Sequence, residues 1–233
     1  MICPKCDKYS FYIRKSAGKN AYCNRCGFKS KFIQPAYTDY HKQKYSNTLV
    51  RTIHNDPLLK RIDNEIIWNN KKTLLEYGCG TGDYIEHFRT KVKKTIGMDI
   101  NIDRAQIKFP KSTFLQINQK KLPVKFDSVD IVVAVNVIEH IHDFEYVLKE
   151  FKRVLKTDGQ LFITTYDRNF PLHFLNNDET HIIEWNKQEF NTLIEKHFHI
   201  IKFFKYGTFF NYYPINKFLV HFLHPELCIL AKK

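Results

Sequence analysis

The sequence lacks any run of about 18 successive apolar residues, although hydrophobic residues make up 43% of its 233 positions. A helix that crosses a bilayer needs about 20 such residues in succession, so no transmembrane segment is predicted. The most apolar stretch near the end, residues 218–230, is interrupted by two histidines, a proline and a glutamate. The first residues also lack the apolar core of a signal peptide. We therefore expect a cytoplasmic protein.

Glycine is scarce, with only eight in the chain, yet three of them occupy the alternate positions Gly78, Gly80 and Gly82. They follow a short apolar strand and precede a predicted helix, an arrangement that lets a ligand lie directly on the backbone. Asp83 stands where a G-x-G-x-x-G dinucleotide motif needs its third glycine, and no G-K-[ST] triphosphate motif is present. The turn therefore predicts a different nucleotide-like ligand, and an ordinary strand–helix turn is the alternative.

Acidic residues are nearly absent from the first part of the chain. Residues 1–33 contain eight Lys or Arg and only Asp7 as an acid, a net charge of +7, whereas the other 200 residues carry +6 of the total of +13. A basic module favours an anionic partner, RNA first. The alternative is a compositional bias, because lysines (29) far outnumber arginines (8) along the whole chain.

The sequence has six cysteines, and four of them fall within the first 26 residues. Their spacing is C-x2-C-x16-C-x2-C, which is typical of a structural zinc site and resembles a zinc ribbon. A piece this small cannot bury enough surface to fold alone, so a metal is expected to supply the folding energy. An iron–sulfur cluster is the alternative, and disulfides are not expected without a secretion signal. The predicted zinc ligands are Cys3, Cys6, Cys23 and Cys26.

The chain divides into three predicted parts: a zinc ribbon at residues 1–33, a linker with an N-terminal helix at 34–70, and a larger domain at 71–233. Asp56 followed by Pro57 predicts the start of that helix. Its apolar stripe is expected to pack on a sheet. The stripe consists of Leu58, Leu59, Ile62, Ile66 and Ile67.

From residue 71 onward, strands and helices alternate, which predicts an α/β fold with a mostly parallel sheet. The predicted strands are residues 73–77, 95–100, 112–118, 129–136 and 159–166, with helices at 102–109 and 143–156. Asn186 and Glu189 predict a capping box at the start of a later helix. Two final strands are predicted at residues 199–207 and 226–233.

Five motifs in the larger domain, with the single acidic residue Asp99 between the first and the second, occur in a recognisable order. Glu76 begins E-x-G-x-G-x-G, and Asp99 ends the second strand nineteen residues after Gly80, where a carboxylate can accept hydrogen bonds from ribose hydroxyls. Residues 118–123, 126–130 and 137–141 and the turn at 153–159 follow. Together, over residues 74–166, they resemble the class I S-adenosylmethionine (SAM) methyltransferases, near the ubiquinone-type enzymes.

The resemblance implies a doubly wound, seven-stranded Rossmann-like sheet whose last two strands pair antiparallel at one edge. It also implies SAM as cofactor, with Glu76 at its amino end, Asp99 at its ribose and Asn118 at its adenine, where the family usually has aspartate. Tyr37, Tyr40 and Tyr45 are candidates for a segment that folds over the cofactor. The full set of predicted cofactor-binding residues is Glu76, Gly78, Gly80, Gly82, Asp99, Ile100, Asn118 and Asn136.

Methyl transfer needs alignment of the acceptor, and it needs a base only if the acceptor loses a proton. His140 is the predicted base, with Glu139 beside it, and His173 and His181 are weaker candidates. A structural role for the Glu139–His140 pair is the alternative. A second metal bound by this pair with His181 or Glu184 is a further alternative.

Three functions fit the sequence. A methyltransferase acting on a small molecule or lipid is favoured by the Glu-His motif and by the aromatic stretch at residues 208–225. An rRNA or tRNA methyltransferase that holds RNA through the basic zinc ribbon is the second. A SAM-binding interaction protein without catalysis is the third.

Overall fold

The computed structural model describes residues 56–117, 121–170, 181–206 and 226–233, together with the backbone of three short strands nearer the N-terminus. Those strands are β1 (Phe11–Arg14), β2 (Asn20–Cys23) and β3 (Lys29–Lys31), and they form an antiparallel sheet in the order β1-β2-β3. Short strands were predicted between the two cysteine pairs. Of the predicted zinc ligands, Cys3, Cys6 and Cys26 lie outside the described residues, and only the backbone of Cys23 is described.

The main sheet has seven strands in the order β6-β5-β4-β7-β8-β10-β9. Neighbours from β6 through β8 are parallel, whereas β10 pairs antiparallel with both β8 and β9. This confirms the predicted seven-stranded, mostly parallel sheet with an antiparallel edge. The strands are β4 (Asn69–Tyr77), β5 (Val92–Asp99), β6 (Phe114–Gln116), β7 (Val129–Ala134), β8 (Leu155–Tyr166), β9 (His199–Tyr206) and β10 (Glu226–Lys232).

Helices cover both faces of this sheet. They are α1 (Pro57–Glu65), α2 (Asp83–Phe88), α3 (Asp103–Lys108), α4 (Phe144–Val154) and α5 (Lys187–Glu195). Side chains of the central strands alternate between two cores, because successive residues of a strand point to opposite faces. Leu75 and Val132 pack in the core that α4 and α5 cover, and Leu74 and Ile131 pack in the core that α1, α2 and α3 cover. Among the described residues, no helix is both long enough and apolar enough to cross a bilayer.

The two predicted helix starts are confirmed. The Asp56 carboxylate accepts hydrogen bonds from the backbone N–H groups of Leu58 (2.9 Å) and Leu59 (3.5 Å), and Pro57 opens the helix. At α5, the side chain of Asn186 and that of Glu189 each accept a hydrogen bond from the backbone of the other residue. These bonds satisfy N–H groups that a helix leaves unpaired at its start.

One residue of the predicted stripe on α1 was placed wrongly. Ile67 is 64% exposed, because the helix ends at Glu65 and the chain turns into an extended conformation at Ile66. Ile66 itself stays buried with Leu58, Leu59 and Ile62, so four of the five predicted side chains form the buried face.

Several strands also begin earlier than predicted. β8 begins at Leu155, which was predicted to lie in the preceding helix, because Leu155 pairs with Val129 and so extends the sheet. Similarly, β4 begins at Asn69, before the predicted domain boundary at residue 71, because Asn69 pairs with Val92. The first residues of these strands are determined by pairing with a neighbouring strand, which cannot be predicted from the local sequence pattern.

Candidate functional site

The glycine turn between β4 and α2 needs glycine for two different reasons. All three glycines have positive φ, +78° at Gly78, +51° at Gly80 and +79° at Gly82, a region that favours glycine. A Cβ added at Gly78 would lie 2.6 Å from Val137 Cγ2, and one added at Gly82 would lie 2.7 Å from Phe114 Cζ. A Cβ added at Gly80 would meet no atom within 4 Å. Gly78 and Gly82 are therefore required for packing, and Gly80 faces open space where a ligand can lie on the backbone.

The turn is fixed to the end of β5 by hydrogen bonds. The N–H groups of Gly78 and Cys79 donate to the Met98 carbonyl (2.7 and 2.9 Å), and the Gly80 N–H donates to Asp99 Oδ2 (2.8 Å). Asp99 Oδ1 accepts from the Asn101 N–H (3.0 Å). Each carboxylate oxygen has two lone pairs, so Asp99 keeps acceptor capacity for ligand hydroxyls at the rim of the turn.

Glu76 lies near the end of β4, directly before the turn, and is only 4% exposed. Its Oε2 atom is buried and has no hydrogen-bond partner among the described residues. Burial raises the pKa of Glu76 well above its usual range, and the nearby charges of Asp99 and Asp83 raise it further, while a backbone hydrogen bond from Ile85 acts in the opposite direction. A buried carboxyl without a partner is costly, so this position calls for a cationic group of a ligand.

Asn136 follows β7 and has a positive φ of 48°. Its backbone N–H donates to Thr164 Oγ1 (3.0 Å), and the Thr164 hydroxyl donates to Asn136 Oδ1 (2.8 Å), which fixes the residue against β8. Ile100 follows β5 and is 39% exposed, and its carbonyl accepts a hydrogen bond from Gln116 Nε2 (2.9 Å). Asn118 lies outside the described residues.

Glu139 and His140 belong to a 3-10 turn, Ile138–His140, that begins next to Val137, the residue that packs on Gly78. Glu139 is completely buried. The Thr165 hydroxyl donates to Glu139 Oε2 (3.2 Å), whereas Oε1 has no hydrogen-bond partner among the described residues. Burial raises the pKa of Glu139 to about 7, although the electrostatic interaction with His181 acts in the opposite direction.

His181 approaches this turn from a distant part of the sequence. The Glu139 carbonyl accepts hydrogen bonds from the Ile182 and Ile183 N–H groups (2.8 and 3.1 Å), which draws residues 181–183 against the turn. As a result, the His140 and His181 rings lie 4.9 Å apart in an edge-on arrangement. His181 Nδ1 is 2.7 Å from Glu184 Oε1. His173, the other candidate base, lies outside the described residues, as do Tyr37, Tyr40 and Tyr45.

Comparison with known proteins identifies the family. The sequence profile of a family described as "Methyltransferase domain" matches residues 53–214. The chain belongs to this methyltransferase family. The predicted class is thus confirmed at the level of the family, whose cofactor is SAM.

Named relatives match part of the length of the chain. A probable S-adenosylmethionine-dependent methyltransferase of Mycobacterium tuberculosis is 31% identical over 100 residues, which are 42% of this chain and 36% of that protein. A ubiquinone/menaquinone biosynthesis C-methyltransferase of Campylobacter jejuni is 30% identical over 105 residues, 41% of this chain and 45% of that protein. The chain therefore spans less than half the length of either relative.

A solved structure supports the fold. The SAM-dependent methyltransferase from Mesorhizobium loti superposes with a TM-score of 0.60, covering 76% of this chain and 96% of that one, at 12% identity. At this identity, the similarity supports the Rossmann-like methyltransferase fold, but it does not indicate the acceptor.

The residues of the chain fit the cofactor of its family. SAM has a cationic amino group, and the buried Oε2 of Glu76 lacks a partner among the described residues. It has a ribose with two hydroxyls, and Asp99 retains acceptor capacity at the rim of the turn. SAM also needs space above the backbone of the turn, and no atom lies within 4 Å of the position of a Cβ added at Gly80.

Two buried threonines of the chain were not predicted to belong to the site. Thr164 holds Asn136, and Thr165 holds Glu139, and both are fully buried at the carboxyl end of β8. The signal was available in the sequence, because two adjacent hydroxyl residues follow the apolar run at residues 161–163 in this strand. A buried polar side chain needs a partner, and here the partners are site residues.

Proposed function

We propose that the chain is a SAM-dependent methyltransferase whose cofactor is held by Glu76, the turn at Gly78, Gly80 and Gly82, and Asp99. The observation that carries this proposal is the buried Glu76 carboxyl, which has an oxygen unpaired among the described residues, directly before an open glycine turn. When bound, the cofactor supplies an electrophilic methyl group on a sulfonium. Ile100, Asn118 and Asn136 are proposed as further contacts to it.

The chain's own residues would align the acceptor and exclude water at the carboxyl ends of β7 and β8. Val137 connects the two halves of the proposed site, because it packs on Gly78 and precedes the turn that carries Glu139 and His140. His140 remains the proposed base for an acceptor that loses a proton. Its ring is partly exposed, whereas the Glu139 carboxyl is buried, so Glu139 is proposed to act through its neighbours.

A small molecule or a lipid is the proposed acceptor. The Glu-His turn supports this, and so does the likeness to a relative named for quinone biosynthesis. The cytoplasm is the proposed location. Cys3, Cys6, Cys23 and Cys26 are proposed to bind one structural zinc ion, because four thiolates close its coordination shell.

An RNA acceptor is the second candidate, and the net charge of +7 within residues 1–33 is the observation that favours it. Phosphate contacts release counterions, so RNA affinity would fall steeply as salt is added. A response that is flat with salt would remove this candidate. The third candidate, SAM binding without catalysis, is excluded if any fraction of a cell extract accepts labelled methyl groups from the unmodified chain.

Calorimetric titration with S-adenosylhomocysteine, the demethylated cofactor, tests the proposed site. The unmodified chain should bind it, and Asp99→Ala should lower the affinity by about 100-fold, since each hydrogen bond to a charged group contributes about 1.5–3 kcal/mol. Asp103→Ala, an acidic residue in the first turn of α3, is the matched control and should bind normally. Equal affinity in the two variants would show that Asp99 is not part of the cofactor site.

A further inference from the structure

We propose that Glu139, His140 and His181 form a binding site for a divalent transition-metal ion, separate from the cysteine site at the N-terminus. One ligand atom from each of these three side chains lies within 4.8 Å of the other two. Two histidine nitrogens and one carboxylate oxygen on one side of an ion leave further coordination positions open, as in the facial triad of non-haem iron proteins. The ligand class is therefore a divalent ion that accepts mixed nitrogen and oxygen donors.

The unpaired carboxyl oxygen is the independent observation that points to a ligand. Glu139 is completely buried, and Oε1 has no hydrogen-bond partner among the described residues, although Thr165 binds the other oxygen. A buried carboxyl that serves only packing would be expected to have both oxygens satisfied. A metal ion would satisfy Oε1 and neutralise the charge.

The surroundings of the three ligands match those of metal sites. His181 Nδ1 is 2.7 Å from Glu184 Oε1, so Nε2 is the nitrogen that would bind the ion, and a carboxylate behind a ligating histidine fixes the ring and raises its basicity. The Thr165 hydroxyl orients Glu139 in the same way. Glu226 is close enough to influence the charge of Glu139, and it adds negative potential that favours a cation.

The metal requires a movement of the side chains. Donors on one side of an ion, each about 2.1 Å from it, lie about 3.0–3.4 Å from one another, so atoms separated by up to 4.8 Å must move closer by up to about 1.5–2 Å. Rotation of the partly exposed His140 ring is the simplest route, because Glu139 and His181 are buried.

With an ion bound, His140 would serve as its ligand and not as the base, and the ion would offer its open positions to an oxygen atom of the acceptor, next to the proposed cofactor turn. This consequence rests on the proposed function, whereas the metal site itself does not. Metal binding without any cofactor, and S-adenosylhomocysteine binding by the unmodified chain, are therefore measured separately. If one of these two measurements fails, the other can still support its own proposal, so the two failures are distinguishable.

The test is a cobalt(II) titration of the full chain after it has been loaded with one equivalent of zinc, followed by visible absorption. Thiolate ligation adds strong near-ultraviolet absorption, so cobalt at cysteines is distinguishable from cobalt at histidines and a carboxylate. The proposal predicts one cobalt site without thiolate bands. Glu139→Gln and His181→Gln should abolish it, and Glu184→Gln should weaken it about 10- to 100-fold.

The matched controls are Glu145→Gln and His197→Gln, because those two side chains form a similar pair, 3.1 Å apart, elsewhere in the molecule. Both controls should bind cobalt like the unmodified chain. If Glu139→Gln does not fold by circular dichroism, His140→Gln decides, since that ring is partly exposed. No cobalt site in the unmodified chain, or equal binding in ligand and control variants, would overturn the proposal.

Discussion

Two buried glutamates, Glu76 at β4 and Glu139 after β7, share one unusual property but differ in their neighbours. Each has one carboxyl oxygen that is buried and unpaired among the described residues. Glu76 is near the carboxylates of Asp99 and Asp83 and precedes an open glycine turn. Glu139 faces His181 and lies beside His140. Under the two proposals above, each buried carboxyl would bind a cation, and its neighbours would decide which cation it binds.

The largest effect should come from exchanging each carboxyl for an amide. Glu76→Gln removes the charge that pairs with the amino group of the cofactor, so S-adenosylhomocysteine affinity should fall by about 100-fold or more, while cobalt binding stays normal. Glu139→Gln should abolish cobalt binding, while S-adenosylhomocysteine affinity stays normal. Calorimetry and cobalt absorption on both variants measure this. Loss of both ligands in either variant would mean that the two regions form one cooperative unit rather than two separate cation sites.

The next effect is the pH dependence of cofactor binding. The pKa of Glu76 is raised in the unliganded chain, and only the ionised carboxylate pairs with an ammonium group. Affinity for S-adenosylhomocysteine should therefore rise with pH, by up to tenfold per pH unit, until the pH exceeds the raised pKa. Glu76→Gln should remove this slope. An identical slope in the variant would assign the titration to another group.

The raised pKa of Glu76 also predicts the sign of a stability effect. The folded chain holds the Glu76 proton more tightly than the unfolded chain does, so this group's contribution to stability is complete below its ordinary pKa of 4.5 and is lost as pH rises through the raised value. A tenfold tighter hold on the proton corresponds to about 1.4 kcal/mol in the free energy of unfolding. Thermal unfolding of the unliganded chain against pH, with Glu76→Gln as the comparison, measures this contribution. A pH dependence that is the same in both chains would show that Glu76 does not contribute.

The smallest effect should separate the roles of two glycines. Gly78→Ala places a Cβ 2.6 Å from Val137, so it should destabilise the chain by about 1–3 kcal/mol. Gly80→Ala meets no atom, so it should cost only the strain of a positive φ, about 1 kcal/mol. It should nevertheless weaken cofactor binding more than it lowers stability. Equal affinity in Gly80→Ala and the unmodified chain would show that no ligand lies on that face.

Local patterns predicted much of the fold because the relevant forces are local. A strand was predicted at residues 129–136, where β7 lies, and Asp56-Pro57 and the Asn186–Glu189 pair predicted helix starts. Glu76 and Asp99 could be placed at one turn because the carboxyl ends of neighbouring parallel strands meet there. The order of the motifs resembles that of class I SAM methyltransferases, and this resemblance predicted the seven-stranded sheet and the cofactor.

What the sequence did not predict depends on distant contacts. The early start of β8 depends on pairing with Val129, and the positive φ of Asn136 depends on its bonds to Thr164. His181 was one of several candidates for the site. In the structure, hydrogen bonds from the Ile182 and Ile183 N–H groups to the Glu139 carbonyl place the His181 ring next to His140. Such contacts join residues far apart in sequence, so no local period reports them.

A crystal structure of the full chain grown with S-adenosylhomocysteine would decide whether Glu76 and Asp99 hold the cofactor. We expect the ligand to lie over Gly80, with its amino nitrogen within hydrogen-bond distance of Glu76 Oε2 and its ribose hydroxyls on Asp99. A ligand bound elsewhere, with Oε2 of Glu76 still unpaired, would contradict this assignment of the cofactor site.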